Sequence, residues 1–154
     1  MSLFLIILAA GDGQRLKTRV PKPYNKVNNK TLLEYSLKSF ANIKKIKKTL
    51  IVYNKKHKNY LSKLNIKNTI KINGGKTRQE STFKALKKIK KMGCSKVLIH
   101  DAARPNTSKK IINEIINKLN NNHAVIPVIK INDATKQFRN NLIFKNIKRN
   151  SLCL

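Results

Sequence analysis

Five short apolar runs alternate with amphipathic segments along this chain, and that alternation restricts the fold more than any other feature. The runs are residues 3–9, 49–53, 69–72, 96–100 and 124–128, rich in isoleucine, valine and leucine. A strand covered on both faces reads as such a continuous apolar run, because neither side of it meets water. Helix candidates fill the gaps. Residues 31–40 place Leu32, Leu33, Tyr35, Leu37 and Phe40 near one broad face, and residues 57–64 form a weaker helical stretch. Residues 78–92 bring Phe83, Ala85, Leu86 and Ile89 together opposite lysines. Residues 108–119 set Ile111, Ile112, Ile115, Ile116 and Leu119 on an i, i+3, i+4 stripe that Thr107 or Ser108 can cap. Strand alternating with helix predicts an α/β fold: a three-layer, Rossmann-like, mostly parallel sheet with right-handed crossovers. In such sheets ligands bind at the carboxyl ends of the strands, near a switch in strand order.

The chain has 154 residues, which suits one domain over 1–154 with a real core. After Val128 the pattern changes. Residues 129–149 are polar with scattered Ile, Leu and Phe, and Asn140-Asn141 suits a hairpin turn between two extended pieces. This segment is expected to be a projecting β-arm near the C-terminus.

The formal charge of +29 would by itself suggest a nucleic-acid surface. Lysine, asparagine and isoleucine, however, make up roughly four residues in ten, and their codons are A/T-rich. Such a bias raises surface lysine whatever the function, and the lysines are spread along most of the chain. No specific nucleic-acid partner is expected. Acids are scarce by contrast: of six, Asp12, Asp101 and Asp133 fall in predicted strand-end loops. Cys94 and Cys153 are far apart with no Cys or His at metal spacing, which suggests two reduced thiols in a cytoplasmic protein. The N-terminal LFLIILAA is too short to span a membrane and lacks a basic flank, so it reads as a buried strand.

Three motifs follow predicted strands. In LAAGDGQRLKTRVPKPY (8–24), Gly11 and Gly13 would let backbone amides approach an anion such as a nucleotide triphosphate. A dinucleotide fingerprint needs a third glycine where this chain has Leu16, so a nicotinamide or flavin site is disfavoured. Arg15 and Lys22 could neutralise charge that develops as a phosphoryl group is attacked in line. In NGGKTRQES (73–81), Gly75-Lys76-Thr77 imitates the end of a Walker A loop, but Ile70 stands where that motif needs glycine. Gly74 and Gly75 instead suit close approach of a flat base, with Ser81 as a hydrogen-bond partner; an ordinary helix entry is the alternative. In KVLIHDAARP (96–105), Asp101 could hold Mg²⁺ against phosphates or merely cap a helix, and Arg104 could bind an anionic substrate. His57, His100 and His123 are given no catalytic role.

Together LAAGDGQR with PKPY, GGKTRQES, HDAARP, the AVIPV run and KRNSL resemble, in order and spacing, the 2-C-methyl-D-erythritol 4-phosphate cytidylyltransferases of the non-mevalonate isoprenoid pathway. The likeness covers essentially the whole chain. A sister family, the ribitol 5-phosphate cytidylyltransferases, tends to carry AGG at the first loop, where this chain has Ala9-Ala10-Gly11. The resemblance implies CTP over the first loop, bound by Ala9, Ala10, Gly11, Asp12 and Gly13, with its triphosphate on the amides around residues 10–13. It implies cytosine near Gly74, Gly75 and Ser81, and Mg²⁺ positioned by Asp101. Arg15 and Lys22 would stabilise the transition state, and Arg104, Thr135 and Arg149 would bind the second substrate. Interlocking arms imply a homodimer. The family usually has threonine directly after the aspartate that opens the arm; here Ala134 follows Asp133, and Thr135 comes one place later. The family also has a tryptophan where this chain has Cys153, and its pattern continues into a QTPQ-like stretch and a C-terminal third. The sequence therefore resembles the front two-thirds of such an enzyme. An inactive fragment or a basic nucleic-acid-binding domain are the alternatives.

Overall fold

The computed structural model describes residues 2–11 and 19–153. They fall into two compact units, Met1–Ile112 and Asn113–Leu154.

The first unit is built on a four-stranded parallel sheet. Its strands are β1 (Leu3–Ala9), β4 (Ile46–Tyr53), β5 (Thr69–Asn73) and β6 (Lys96–Asp101), in the order β5-β4-β1-β6. A two-stranded ribbon, β2 (Lys26–Val27) and β3 (Lys30–Thr31), follows β1. The helices are α1 (Leu32–Phe40), α2 (Lys58–Ser62), α3 (Arg78–Lys90) and α4 (Lys109–Lys118); α4 crosses the boundary between the units. The chain builds β1, β4 and β5 outward on one side and then returns to lay β6 on the other side of β1. That reversal places the switch point at the carboxyl end of β1.

The registers explain why the two central runs, in β1 and β4, are almost wholly apolar. Ile6 pairs with Leu50 and Ile99, and Ile7 with Ile51 and His100. Phe4, Ile6, Leu50 and Val52 point to one face, where Ala85 and Ile89 of α3 complete the cluster. Leu3, Leu5, Ile7 and Ile51 alternate to the other face and are equally buried. Each fully buried Ile or Leu contributes about 1.5–3 kcal/mol relative to an exposed one, so the central strand dominates the stability of this unit.

Local chemistry fixes the ends of the elements. Thr31 Oγ1 accepts the Glu34 amide at 3.2 Å while Glu34 Oε2 accepts the Thr31 amide at 2.8 Å, a reciprocal capping box that starts α1. Asn28 and Asn29 both have positive φ, +46° and +65°, and turn β2 into β3; asparagine tolerates this region because its short amide can bond locally. Ser108 Oγ accepts the Ile111 amide at 3.3 Å, so of the two proposed caps it is Ser108 that serves α4.

Several helix faces differ from expectation. Ser36 is in the core of α1 with Leu33 and Phe40, its hydroxyl donating to the Ala102 carbonyl at 2.8 Å. Phe83 is exposed on α3, under the Lys87 ammonium 5.5 Å from the ring, whereas Ser81, Ala85 and Ile89 are buried. On α4 the stripe keeps Ile112 and Ile116 buried but leaves Ile111 exposed.

The second unit contains a β-hairpin, β7 (Thr135–Arg139) and β8 (Leu142–Ile147), paired antiparallel. It turns at Asn140 and Asn141, with φ of +50° and +62°, where the sequence placed the turn. Residues 124–128 form no strand. An apolar run becomes a strand only when a neighbour meets its backbone groups, and no described strand pairs with this one; Ile126 and Val128 are exposed. Among the described residues, no helix is long and apolar enough to cross a membrane.

Candidate active site

The strand order brings three of the sequence motifs to the carboxyl edge of the first unit. At the end of β1, Ala9 is buried, Ala10 is half-buried and Gly11 is exposed. Asp12, Gly13 and Arg15 lie outside the described residues. Lys22 opens a single 3₁₀ turn, Lys22–Tyr24, and is exposed while Pro21, Pro23 and Tyr24 beside it are buried. Tyr24 stacks on Tyr60 with ring centroids 5.5 Å apart and meets the edge of His57 at 6.1 Å. The turn is thus anchored by its apolar residues and presents its cation to solvent. Burial, with the nearby Tyr53 phenol adding to it, pushes the Tyr24 phenol up to about 12.

The loop after β5 is packed against the first one. The Gly74 amide donates to the Tyr53 carbonyl at 2.8 Å, and the Gly75 amide to Ser81 Oγ at 2.9 Å. A Cβ on Gly74 would stand 2.6 Å from Ala10 Cβ and 2.8 Å from Ser81 Oγ. A Cβ on Gly75 would stand 2.6 Å from Glu80 Cβ. Both glycines are therefore required by the chain's own packing, which sets the loops after β1 and β5 side by side. Ser81 is buried and its oxygen holds the loop, so it shapes the backbone there. Glu80 accepts the Lys76 amide at 2.8 Å and pairs with Lys84 at 2.9 Å; the Lys84 hydrogen bond first, then that of the Lys76 amide, holds its carboxyl below the usual range.

Asp101 ends β6 and lies between two arginines. Its Oδ1 accepts Arg78 Nε at 3.3 Å and Arg78 Nη2 at 3.2 Å, and its Oδ2 is 3.3 Å from Arg104 Nε. The guanidiniums are well exposed and the carboxylate partly so. Two bonds hold the loop itself: Ala102 donates its amide to the Leu8 carbonyl at 2.9 Å, and Ser36 donates to the Ala102 carbonyl. His100 packs edge-on against Phe40 and its Nε2–H donates to the Arg104 carbonyl at 2.9 Å. Burial lowers its pKa, outweighing the carbonyl contact that favours the charged form. The ring thus serves packing against Phe40 and holds the Arg104 carbonyl.

In the second unit Thr135 and Arg149 occur at the same end of the hairpin, since Thr135 pairs with Ile147 and Arg149 follows β8. Arg149 Nη1 donates to the Asn132 carbonyl at 2.8 Å, tying the exit of the arm to its entry. Thr135 Oγ1 lies 3.5 Å from the Asp133 carbonyl.

Among the described residues no group of three or more His, Cys, Asp or Glu could hold a metal ion. Asp101 still fits Mg²⁺, which usually takes one or two carboxylates and completes its octahedron with phosphate oxygens and water. A carboxylate offers about four lone-pair positions; Arg78 uses two with its N–H donors, and Arg104 Nε stands at ion-pair distance, 3.3 Å. Arg78 is not among the site residues expected from the sequence, because its acceptor, Asp101, lies 23 residues away and no local pattern encodes it.

A parallel sheet with a switch point at β1, and glycine and Asp-Arg loops on its carboxyl edge, defines a Rossmann-like nucleotidyltransferase fold. The sequence model of the family IspD, 2-C-methyl-D-erythritol 4-phosphate cytidylyltransferase, matches residues 3–154, and the chain belongs to that family. It is 46% identical over 154 residues to the bifunctional enzyme IspD/IspF of Pelagibacter ubique, covering 100% of this chain and 41% of that protein. It is 40% identical to the 2-C-methyl-D-erythritol 4-phosphate cytidylyltransferase of Wigglesworthia glossinidia brevipalpis, covering 97% of this chain and 66% of that one. Among solved structures it is similar to the bifunctional IspDF of Campylobacter jejuni, with a TM-score of 0.83, 31% identity, and coverage of 100% and 39%. The chain thus spans about two-fifths to two-thirds of the length of these relatives.

Proposed function

We propose that this chain carries the CTP site of a cytidylyltransferase that acts on 2-C-methyl-D-erythritol 4-phosphate. The observation that carries this reading is the junction of loops at one sheet edge: Gly74 against Ala10, Gly75 on Ser81, and Asp101 bonded to Arg78. Backbone amides around residues 10–13, at the end of the strand that closes with Ala9, receive the triphosphate, and the loop of Gly74 and Gly75, held by Ser81, receives the base. A phosphate oxygen of methylerythritol phosphate attacks the α-phosphorus of CTP. The bond from that phosphorus to the bridging oxygen breaks, and pyrophosphate leaves. Arg15 and Lys22 stabilise the charge on the five-coordinate phosphorus, for which the solvent-facing position of Lys22 is suited. Asp101 would hold Mg²⁺, which would supply charge neutralisation at the phosphates. Arg104 in the first unit binds the anionic second substrate; Thr135 and Arg149 are assigned to the same substrate by family resemblance alone.

The hairpin supports a homodimer. Phe138 and Ile143 form a cross-strand pair on one of its faces, Leu142 and Phe144 alternate to the other, and all four are exposed. Such a surface is stable when covered, and a second copy of the arm is a matching cover. A cytoplasmic location accompanies this reading, since CTP is a cytoplasmic substrate.

The test is pyrophosphate release from CTP with Mg²⁺, run in parallel on methylerythritol phosphate and ribitol 5-phosphate. Release on the former and little on the latter is expected. Preference for ribitol 5-phosphate, or release on neither, overturns the assignment.

A further inference from the structure

Asp101 is held from two sides by arginines that differ in what they can fix. Arg104 is three residues away in the same loop, so its contact cannot position that loop against anything else. Arg78 belongs to α3, the helix whose Ser81 holds the Gly75 amide. Its bonds to Asp101 Oδ1 span 23 residues and join the segment after β5 to the end of β6, across the ends of β4 and β1 between them. Exposed ion pairs of this kind stabilise a fold little. A guanidinium that places two N–H groups on one carboxylate oxygen nevertheless fixes its direction, as a lysine could not.

We propose that Arg78 is a positioning residue: through Asp101 it locks the base-binding loop of Gly74 and Gly75 to the phosphate side of the CTP site. The proposal rests on the CTP reading above. It differs from a direct role for Arg78 on the triphosphate in one consequence. A direct contact would remain valuable when Asp101 is neutralised, whereas a positioning contact would not.

The experiment is a double-mutant cycle on CTP affinity, measured by calorimetric titration of the chain with CTP and Mg²⁺. Arg78→Gln is expected to weaken binding about ten-fold, Asp101→Asn at least as much because it also removes the carboxylate proposed for Mg²⁺, and the double variant no more than Asp101→Asn alone. Thermal midpoints should change little, since the pair is exposed. The Arg78 Nε–H signal in ¹⁵N NMR should shift in Asp101→Asn before any nucleotide is added, which a remote structural effect would not produce. Multiplying losses in the double variant, unchanged affinity in Arg78→Gln, or an unmoved Nε–H signal overturns the proposal alone. A parent chain that binds no CTP overturns both the proposal and the function on which it rests.

Discussion

Gly74 and Ser81 are in such close contact that a Cβ on the glycine would fall 2.8 Å from the serine oxygen, and the next amide already donates to that oxygen. The loop after β5 is thereby pressed against Ala10, whose Cβ would be 2.6 Å away. Gly74→Ala should cost about 1–3 kcal/mol through this overpacking, and it should weaken CTP binding by more than its loss of stability explains. Denaturant unfolding and calorimetric titration together check this; full CTP affinity in the variant would contradict it.

The Ser36–Ala102 bond connects the core of α1 to the HDAARP loop. Ser36→Ala leaves a buried carbonyl without its donor and should cost about 1–3 kcal/mol. The loss should appear as a lower thermal midpoint and faster amide exchange around Ala102.

Thr31→Ala removes one half of the capping box and should cost about 1 kcal/mol of stability, with little effect on ligand binding. Thermal unfolding in parallel with CTP titration separates the two.

Sequence and structure agree where burial controls both. The runs at 3–9 and 49–53 were legible because strands covered on two faces exclude most polar residues; the edge strands at 69–72 and 96–100 keep Thr69, Lys71, Lys96 and His100 and were legible from their β-branched and aliphatic residues. The Asn140-Asn141 turn was legible because two successive positive φ values select asparagine or glycine. The run at 124–128 misled because composition records apolarity and not whether a partner strand is present. Phe83 misled because a helical stripe gives an arc of positions, and the covering group at its edge is the lysine at 87. Ser36 and Arg78 were invisible for a common reason: each acts through one distant acceptor, the Ala102 carbonyl or the Asp101 carboxylate, and no local pattern encodes it. Arg15, Asp12 and Gly13 remain sequence assignments.

Tyr24 gives a pH prediction with a definite sign. Its folded pKa is raised from 10.0 to about 12 by burial first and Tyr53 second, so the folded state retains a proton that the unfolded chain has lost. The contribution is complete below about pH 10 and is lost as pH rises from about 10 to about 12. Its hydroxyl oxygen is buried with no hydrogen-bond partner among the described residues. Tyr24→Phe should therefore be at least as stable as the parent at pH 8 and should lose less stability over the alkaline window. Unfolding curves of both proteins across that window decide it; parallel pH profiles would contradict the assignment.

The arm predicts an association state. Phe138→Ser with Phe144→Ser should shift a dimer toward monomer in sedimentation velocity, with the far-ultraviolet spectrum of the first unit unchanged. A parent chain that sediments as a monomer at all concentrations would remove the arm's proposed role.

The central claim is that Lys22 and Arg15 stabilise the transfer of a cytidylyl group at the edge described here. Phosphorus NMR of the chain with CTP, methylerythritol phosphate and Mg²⁺ tests it most directly, because it shows the new diphosphate and the released pyrophosphate together. Both sets of signals are expected for the parent, with loss of about a hundred-fold or more in rate for Lys22→Ala and for Arg15→Ala. Parental turnover in either variant, or no diphosphate from the parent, would contradict it.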